Sequence, residues 1–233
     1  MNAMTIETDA RQVAHGLDTC GFALVNRVLS SEACDTIRDF YEQERLFRST
    51  INMQRYRFGL GEYKYFDYPL PSIVQSLREN FYEHLVPLAN EWMSRLGLDT
   101  RYPGKLDEFL ALCHSKNQRR PTPLVLRYES GGFNTLHQDI YGEVYFPFQV
   151  VFVLTERGRD YEGGELVFVE QLPRAQSRAE VIAPGKGDAV IFTTNFRPVK
   201  GSKGYYRAKM KHGVSPVRKG TRYTMGLIFH DAA

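Results

Sequence analysis

Cysteine is scarce in this chain. There are three in 233 residues, Cys20, Cys34 and Cys113, and no two share a paired spacing. So sparse and odd a set excludes a disulfide framework and fits reduced thiols in a cytoplasmic protein, with small core filler as the expected role. A dominant charge is lacking too: 30 Lys and Arg against 27 Asp and Glu leave a net charge of +3. That balance is compatible with an anionic partner but far from one that argues for nucleic acid by itself. No apolar run approaches membrane-spanning length, and Met1 to Gln12 holds acidic residues and no apolar signal segment. Neither a membrane nor an obligate protein partner is signalled. No Pro/Gly/Ser-rich linker, low-complexity tract or internal repeat divides the chain, so a single domain over 1–233 is expected. Tryptophan occurs once, yet 14 Tyr, 15 Phe and a 42% hydrophobic content can fill a sizeable core.

The chain changes texture near its midpoint. Residues 1–120 read as mainly helical support. Ser30 or Ser31 can cap a helix whose first turn carries Glu32 and Asp35, with Cys34, Ile37 and Tyr41 at helical spacing. Pro71 suits the first turn of a longer helix, and Ile73, Leu77, Phe81, Leu85, Leu88, Trp92 and Leu96 form its apolar stripe. Gly97 suits its end, and Pro87 inside it predicts a kink. Leu106, Phe109, Leu110 and Cys113 predict a third helix. From Leu124 onward, short β-branched and aromatic runs alternate with glycine turns: 124–128, 148–154, 165–169, 188–193, 207–212 and 222–229. The pattern predicts an α+β fold, with a jelly-roll core at 121–233 and N-terminal helices packed on one sheet.

Within the second half, His137-Gln138-Asp139 places an imidazole and a carboxylate two residues apart. Strand side chains alternate, so both can face one ion while Gln138 turns away. Alone, His-x-Asp is a weak signal. His212 supplies a second imidazole on a late strand where Tyr206, Ala208 and Met210 share its face and Arg207, Lys209 and Lys211 take the other. Two imidazoles and a carboxylate are the ligand set of non-haem Fe(II) oxygenases, which leaves three of six positions open. Arg222 follows His212 by ten residues and shares a face with Thr224, Gly226 and Ile228. An inward arginine needs an anion, because an unpaired interior charge costs several kcal/mol. A diacid cosubstrate would supply it, whereas on an ordinary surface strand Arg222 would lie in solvent.

These residues resemble the Fe(II)/2-oxoglutarate-dependent dioxygenase superfamily, together with Arg127 to Gly131, Gly163-Gly164-Glu165-Leu166 and Gly187 to Phe192. More narrowly, Leu136 to Glu143, Gln176 to Val181 and the ending Ile228 to Ala232 resemble a bacterial oxygenase family proposed to act on alkylated DNA. The resemblance implies a double-stranded β-helix core. It implies iron held by His137, Asp139 and His212, with no catalytic residue beyond that centre. Arg222, Thr224 and Tyr128 would bind 2-oxoglutarate, O2 would be co-consumed, and ascorbate would support activity. AlkB itself spaces its cosubstrate arginine further from the last histidine. The ten-residue spacing here is like that of prolyl hydroxylases and many small-molecule oxygenases.

The substrate is less legible. Met53 to Pro71 is rich in aromatic and basic residues, and Arg55, Tyr56, Arg57 and Tyr65 are candidates for stacking a base and holding phosphates. The segment could form a nucleotide-recognition lid, or a loop or hairpin that packs its aromatics on the core and solvates its charges. Arg197, Lys200, Lys203, Arg207, Lys209 and Lys211 could track a phosphate backbone or form a solvated strand face. Three readings stand at this point: oxidative demethylation of alkylated nucleobases in DNA or RNA, hydroxylation of a peptide or small molecule, and an inactive jelly-roll binding module.

Overall fold

The structure, a computed structural model, describes residues 10–233. The reading of Met1 to Gln12 lies mostly outside them. In chain order the elements are α1 (Ala10–Cys20), β1 (Phe22–Val25), α2 (Ser31–Asp39), β2 (Phe47–Asn52), β3 (Gly59–Leu60), β4 (Glu62–Phe66), α3 (Ser72–Arg95) and α4 (Leu106–Ser115). Then come β5 (Leu124–Tyr128), β6 (Phe133–His137), β7 (Phe148–Val153), β8 (Tyr161–Gly163), β9 (Leu166–Gln171), β10 (Arg178–Ile182) and β11 (Ala189–Thr193). The last are β12 (Phe196–Gly201), β13 (Gly204–Val214), β14 (Val217–Gly220) and β15 (Arg222–Ile228).

The helices form where capping and apolar spacing place them. The Ser30 hydroxyl accepts the Ala33 N–H at 3.2 Å and starts α2, which buries Cys34 and Ile37. Pro71 precedes α3, whose buried stripe includes Leu77, Phe81, Leu85 and Trp92. The helix runs on through Pro87 without a break in its assignment. Gly97 adopts φ +64° just past its end, as a helix-terminating glycine does.

Among the described residues, seven strands form one sheet in the order β1-β11-β7-β15-β5-β4-β2. A second runs β10-β9-β13-β6-β3, with β12 paired to β13, and β14-β8 form a small ribbon. The pairings between named strands are antiparallel, and together they make the expected jelly roll. On β15, Met225 and Leu227 join the core formed with the helices, which continues to Phe229. Arg222, Thr224, Gly226 and Ile228 face a cavity between the sheets. The helices therefore cover the outer face of the larger sheet and leave its inner face to the site.

Residues 1–120 carry α1 to α4 and also lend strands to the large sheet, with β1 at one edge and β2 with β4 at the other. Met53 to Pro71 accordingly holds the short strands β3 and β4. Glu62-Tyr63-Lys64-Tyr65-Phe66 alternates at period two, but Lys64 interrupts the apolar side and hides the pattern. Lys64 is nonetheless buried, with its ammonium on the Tyr41 carbonyl at 2.9 Å, paired with Glu44 and 4.4 Å from the Tyr41 ring.

Candidate metal centre and its cavity

β6 ends on His137, which lies directly across from His212 on β13. The register shifts just beyond, between His212 and Val214, and Gly213 sits where a Cβ would come within 2.8 Å of the Asn134 carbonyl. The two rings are 4.2 Å apart, and the Phe192 ring lies 4.6 Å from His212. His137 Nδ1 is 2.7 Å from the Thr135 carbonyl. That contact calls for the proton on Nδ1 and leaves Nε2 as a donor to a metal.

Asp139 follows immediately. Its Oδ2 is 3.1 Å from His212 Nε2, and its Oδ1 is 3.5 Å from His137 Nε2. One ligating atom from each of the three residues lies within 4.8 Å of the others. Gln138 turns away as its parity predicts, and its Nε2 lies 2.7–2.9 Å from the carbonyls of Asn195 and Met210 and from Asn195 Oδ1. That anchor ties the end of β6 to the β12–β13 side of the sheet. Burial would raise the Asp139 carboxyl, but the His137 and His212 imidazoles and the Tyr141 hydroxyl outweigh it and hold the group well below the usual range. Burial, reinforced by His137, lowers the His212 imidazole. An ionised carboxylate is the state in which Asp139 could ligate a divalent cation.

Arg222 lies on the same cavity at 1% exposure. Its Nε and Nη1 have no hydrogen-bond partner among the described residues, and neither does the hydroxyl of fully buried Tyr128, its cross-strand neighbour. The guanidinium lies 5.7 Å from the Tyr128 ring and 5.9 Å from that of Tyr161. Burial pushes the Tyr128 phenol up to about 12, so it stays a donor. Thr224 is the next residue along on the same face, also 1% exposed. Gly164, at φ +63°, makes room for the arginine, since a Cβ there would stand 2.7 Å from Arg222 Cδ. The Gln149 Nε2 is a further unpartnered donor in the wall. A cavity of about 200 Å3 joins these groups to the imidazoles and carboxylate. The donor set suits Fe(II), and the orphaned guanidinium and phenol suit a dicarboxylate such as 2-oxoglutarate.

The four candidate substrate residues separate. Tyr65 is buried in the cavity wall and donates to the Tyr141 hydroxyl at 3.2 Å. Arg55, Tyr56 and Arg57 lie on an exposed turn before β3. Tyr56 stacks on Phe58 with centroids 5.5 Å apart, and Phe58 reaches the cavity lining. The basic run separates too. Arg197 is 7% exposed and paired with Glu170 and the Asp18 carbonyl, each at 2.6 Å, while Lys200, Lys203, Arg207, Lys209 and Lys211 stay on the β12–β13 hairpin. The cysteines are free, with Cys34 and Cys113 buried and their thiols pushed up to about 11 by burial. Sequence reasoning passed over Tyr141, whose hydroxyl donates to Asp139 Oδ1 at 2.6 Å. Its place two residues after Asp139 was the available signal.

Residues 61–232 match the family model described as "Oxygenase, catalysing oxidative methylation of damaged DNA". Two uncharacterized proteins of Mycobacterium tuberculosis, from strains CDC 1551 / Oshkosh and ATCC 25618 / H37Rv, are each 46% identical over 168 residues, which is 72% of this chain and 72% of theirs. Similar solved structures include the non-heme alpha ketoglutarate dependent epimerase SnoN from nogalamycin biosynthesis, with TM-score 0.57, 13% identity, and coverage of 95% of this chain and 82% of that one. A 2OG-Fe(II) oxygenase family oxidoreductase from Burkholderia pseudomallei gives 0.54 and 16%, covering 96% and 92%. A Pseudomonas putida prolyl-4-hydroxylase gives 0.52 and 14%, covering 96% and 99%. At such identities the likeness is one of fold. The chain belongs to the oxygenase family that its sequence matches, an oxidoreductase built on the double-stranded β-helix fold of the 2-oxoglutarate- and Fe(II)-dependent dioxygenases.

Proposed function

We propose that the protein is an Fe(II)- and 2-oxoglutarate-dependent dioxygenase, a single catalytic domain over 1–233, that oxidatively demethylates alkylated bases in DNA or RNA. One observation carries the reaction class. Two imidazoles and a carboxylate converge within 4.8 Å in a cavity that also holds a buried arginine with two unpartnered nitrogens. His137, Asp139 and His212 would hold the iron, and Arg222, Thr224 and Tyr128 the distal carboxylate of the cosubstrate. Bound there, iron and 2-oxoglutarate supply O2 activation, with one oxygen entering a substrate C–H and the other leaving in succinate as CO2 is released. Arg222 and the Tyr128 phenol orient the cosubstrate by charge-assisted hydrogen bonds. Phe192, Leu166 and Val151 line the cavity with apolar surface that limits water. An N-methyl carbon hydroxylated in this way leaves as formaldehyde and frees the base.

The family description supports nucleic acid as substrate, as do the exposed Tyr56–Phe58 stack beside the cavity and the lysines of the β12–β13 hairpin. The ten-residue spacing of His212 and Arg222 favours a peptide or small-molecule hydroxylase as the second reading. Formaldehyde release from methylated single-stranded DNA, with Fe(II), 2-oxoglutarate and ascorbate present, decides between them. Succinate formation without formaldehyde would move the assignment to the hydroxylase. Failure to bind metal and 2-oxoglutarate would leave a binding module. His137→Ala and Asp139→Ala are each expected to abolish succinate formation in a folded protein, and full activity in either would remove the ligand assignment.

A further inference from the structure

Asp139 does not stand alone at the centre. Its Oδ1 accepts a hydrogen bond from the Tyr141 hydroxyl at 2.6 Å, and that oxygen in turn accepts from the Tyr65 hydroxyl at 3.2 Å. The guanidinium of Arg48 lies 4.4 Å from the centre of the Tyr65 ring, and its Nε donates to the Pro121 carbonyl at 2.9 Å. Donors therefore point one way along the chain, from Tyr65 to Tyr141 to the carboxylate. The other oxygen, Oδ2, is the one 3.1 Å from His212 Nε2. Oδ1, which also stands 3.5 Å from His137 Nε2, is thus the oxygen that carries the phenol, while Oδ2 carries none.

We propose that Tyr141, backed by Tyr65, is a positioning residue whose hydrogen bond to Asp139 Oδ1 competes with a divalent cation for that oxygen and leaves Oδ2 as the cation's partner. The inference rests on the reading of His137, Asp139 and His212 as a metal centre. A carboxylate free to rotate can offer both oxygens to one ion. A second oxygen would fill one of the three positions that the facial set must leave open for cosubstrate and O2. A short hydrogen bond to one oxygen opposes that, and fixed outer partners of this kind typically change metal affinity by about 10- to 100-fold. The geometry also changes the part given to Tyr65. From inside the wall it acts through Tyr141 on the centre, whereas its place in the sequence marked it for substrate.

The test is Co(II) binding to the full chain, read by visible absorption and calorimetry, with 2-oxoglutarate then titrated onto the Co(II) form. Tyr141→Phe keeps the ring and removes the donor. It is expected to weaken Co(II) binding by about 10- to 100-fold, alter the Co(II) absorption envelope and weaken 2-oxoglutarate binding to the Co(II) form. Tyr65→Phe, which removes only the outer bond, is expected to shift the same quantities in the same direction by less. An unchanged Co(II) spectrum in Tyr141→Phe overturns the proposal whatever the affinity does. Should Tyr141→Phe fail to fold, wild-type behaviour of Tyr65→Phe in spectrum and affinity overturns it. Failure of the wild-type chain to bind Co(II) would sink the metal centre itself. A binding wild type with an indifferent variant sinks only the role of Tyr141.

Discussion

At position 222 a guanidinium is held where solvent does not reach, with Tyr128 and Tyr161 rings near it and no carboxylate among the described residues bonded to it. Such a charge is tolerable only if an anion arrives or the cavity admits water, and on the proposed reading that anion is 2-oxoglutarate. Arg222→Ala is expected to raise the 2-oxoglutarate requirement by about 10- to 150-fold, the worth of a charge-assisted hydrogen bond of roughly 1.5–3 kcal/mol. Gly164→Ala should act in the same direction without touching the arginine chemically, because its methyl would displace Arg222 Cδ and its backbone sits at φ +63°. Measured KM for 2-oxoglutarate checks both, and a wild-type value in Arg222→Ala removes the clamp.

At the scale of elements, α3, α4 and the C-terminal tail are joined under the large sheet. Arg78 of α3 pairs with fully buried Asp231 at 2.9 Å and donates to the Ile228 and Phe229 carbonyls, while His114 of α4 meets the other Asp231 oxygen at 2.9 Å. His230 lies beside this knot, fully buried. Its Nδ1 accepts the Phe146 N–H at 3.3 Å, and its Nε2 has no partner among the described residues. Burial first, then the Arg78 charge, lowers its pKa to about 4. The unfolded chain therefore takes up this proton near pH 6.5 while the folded chain resists it. The stabilisation is full above that point and is lost as pH falls toward 4. Denaturant unfolding should show the wild type losing about 2 kcal/mol more than His230→Gln between pH 7 and pH 5. Parallel curves for the two proteins would show that His230 is not held neutral.

For the whole molecule, a net charge of +3 matters less than where the charge lies. Arg197 is committed to Glu170, so Lys200, Lys203, Arg207, Lys209 and Lys211 are the cations left on the β12–β13 hairpin. Binding to single-stranded DNA should weaken with salt, and each lysine that meets a phosphate contributes about 0.7 to the slope of log K against log salt. Lys209→Ser with Lys211→Ser is expected to lower that slope by about 1.4, as measured by fluorescence anisotropy at several ionic strengths. An unaltered slope would take the hairpin off the nucleic-acid path.

The periodic features can be read from the order of residues. The α2 cap at Ser30, the stripe of α3, the alternation on β13 and β15 and the two-residue spacing of His137 and Asp139 are local, because one residue's backbone and its near neighbours set them. Strands β5, β7, β9, β11, β13 and β15 were legible for the same reason, while β6, β8, β10, β12 and β14 were not among the runs read as strands. That residues 47–66 include sheet follows from packing instead, since β4 buries Lys64 against Tyr41 and Glu44, partners some 20 residues away in sequence. Tertiary packing alone also withdrew Arg197 from the surface and buried Arg222 with no counter-charge bonded to it among the described residues. It brought Tyr65 to Tyr141 across 76 residues and so to Asp139. Contacts of that kind depend on which strands meet and in what register, and chain closure over such distances leaves no local pattern to read.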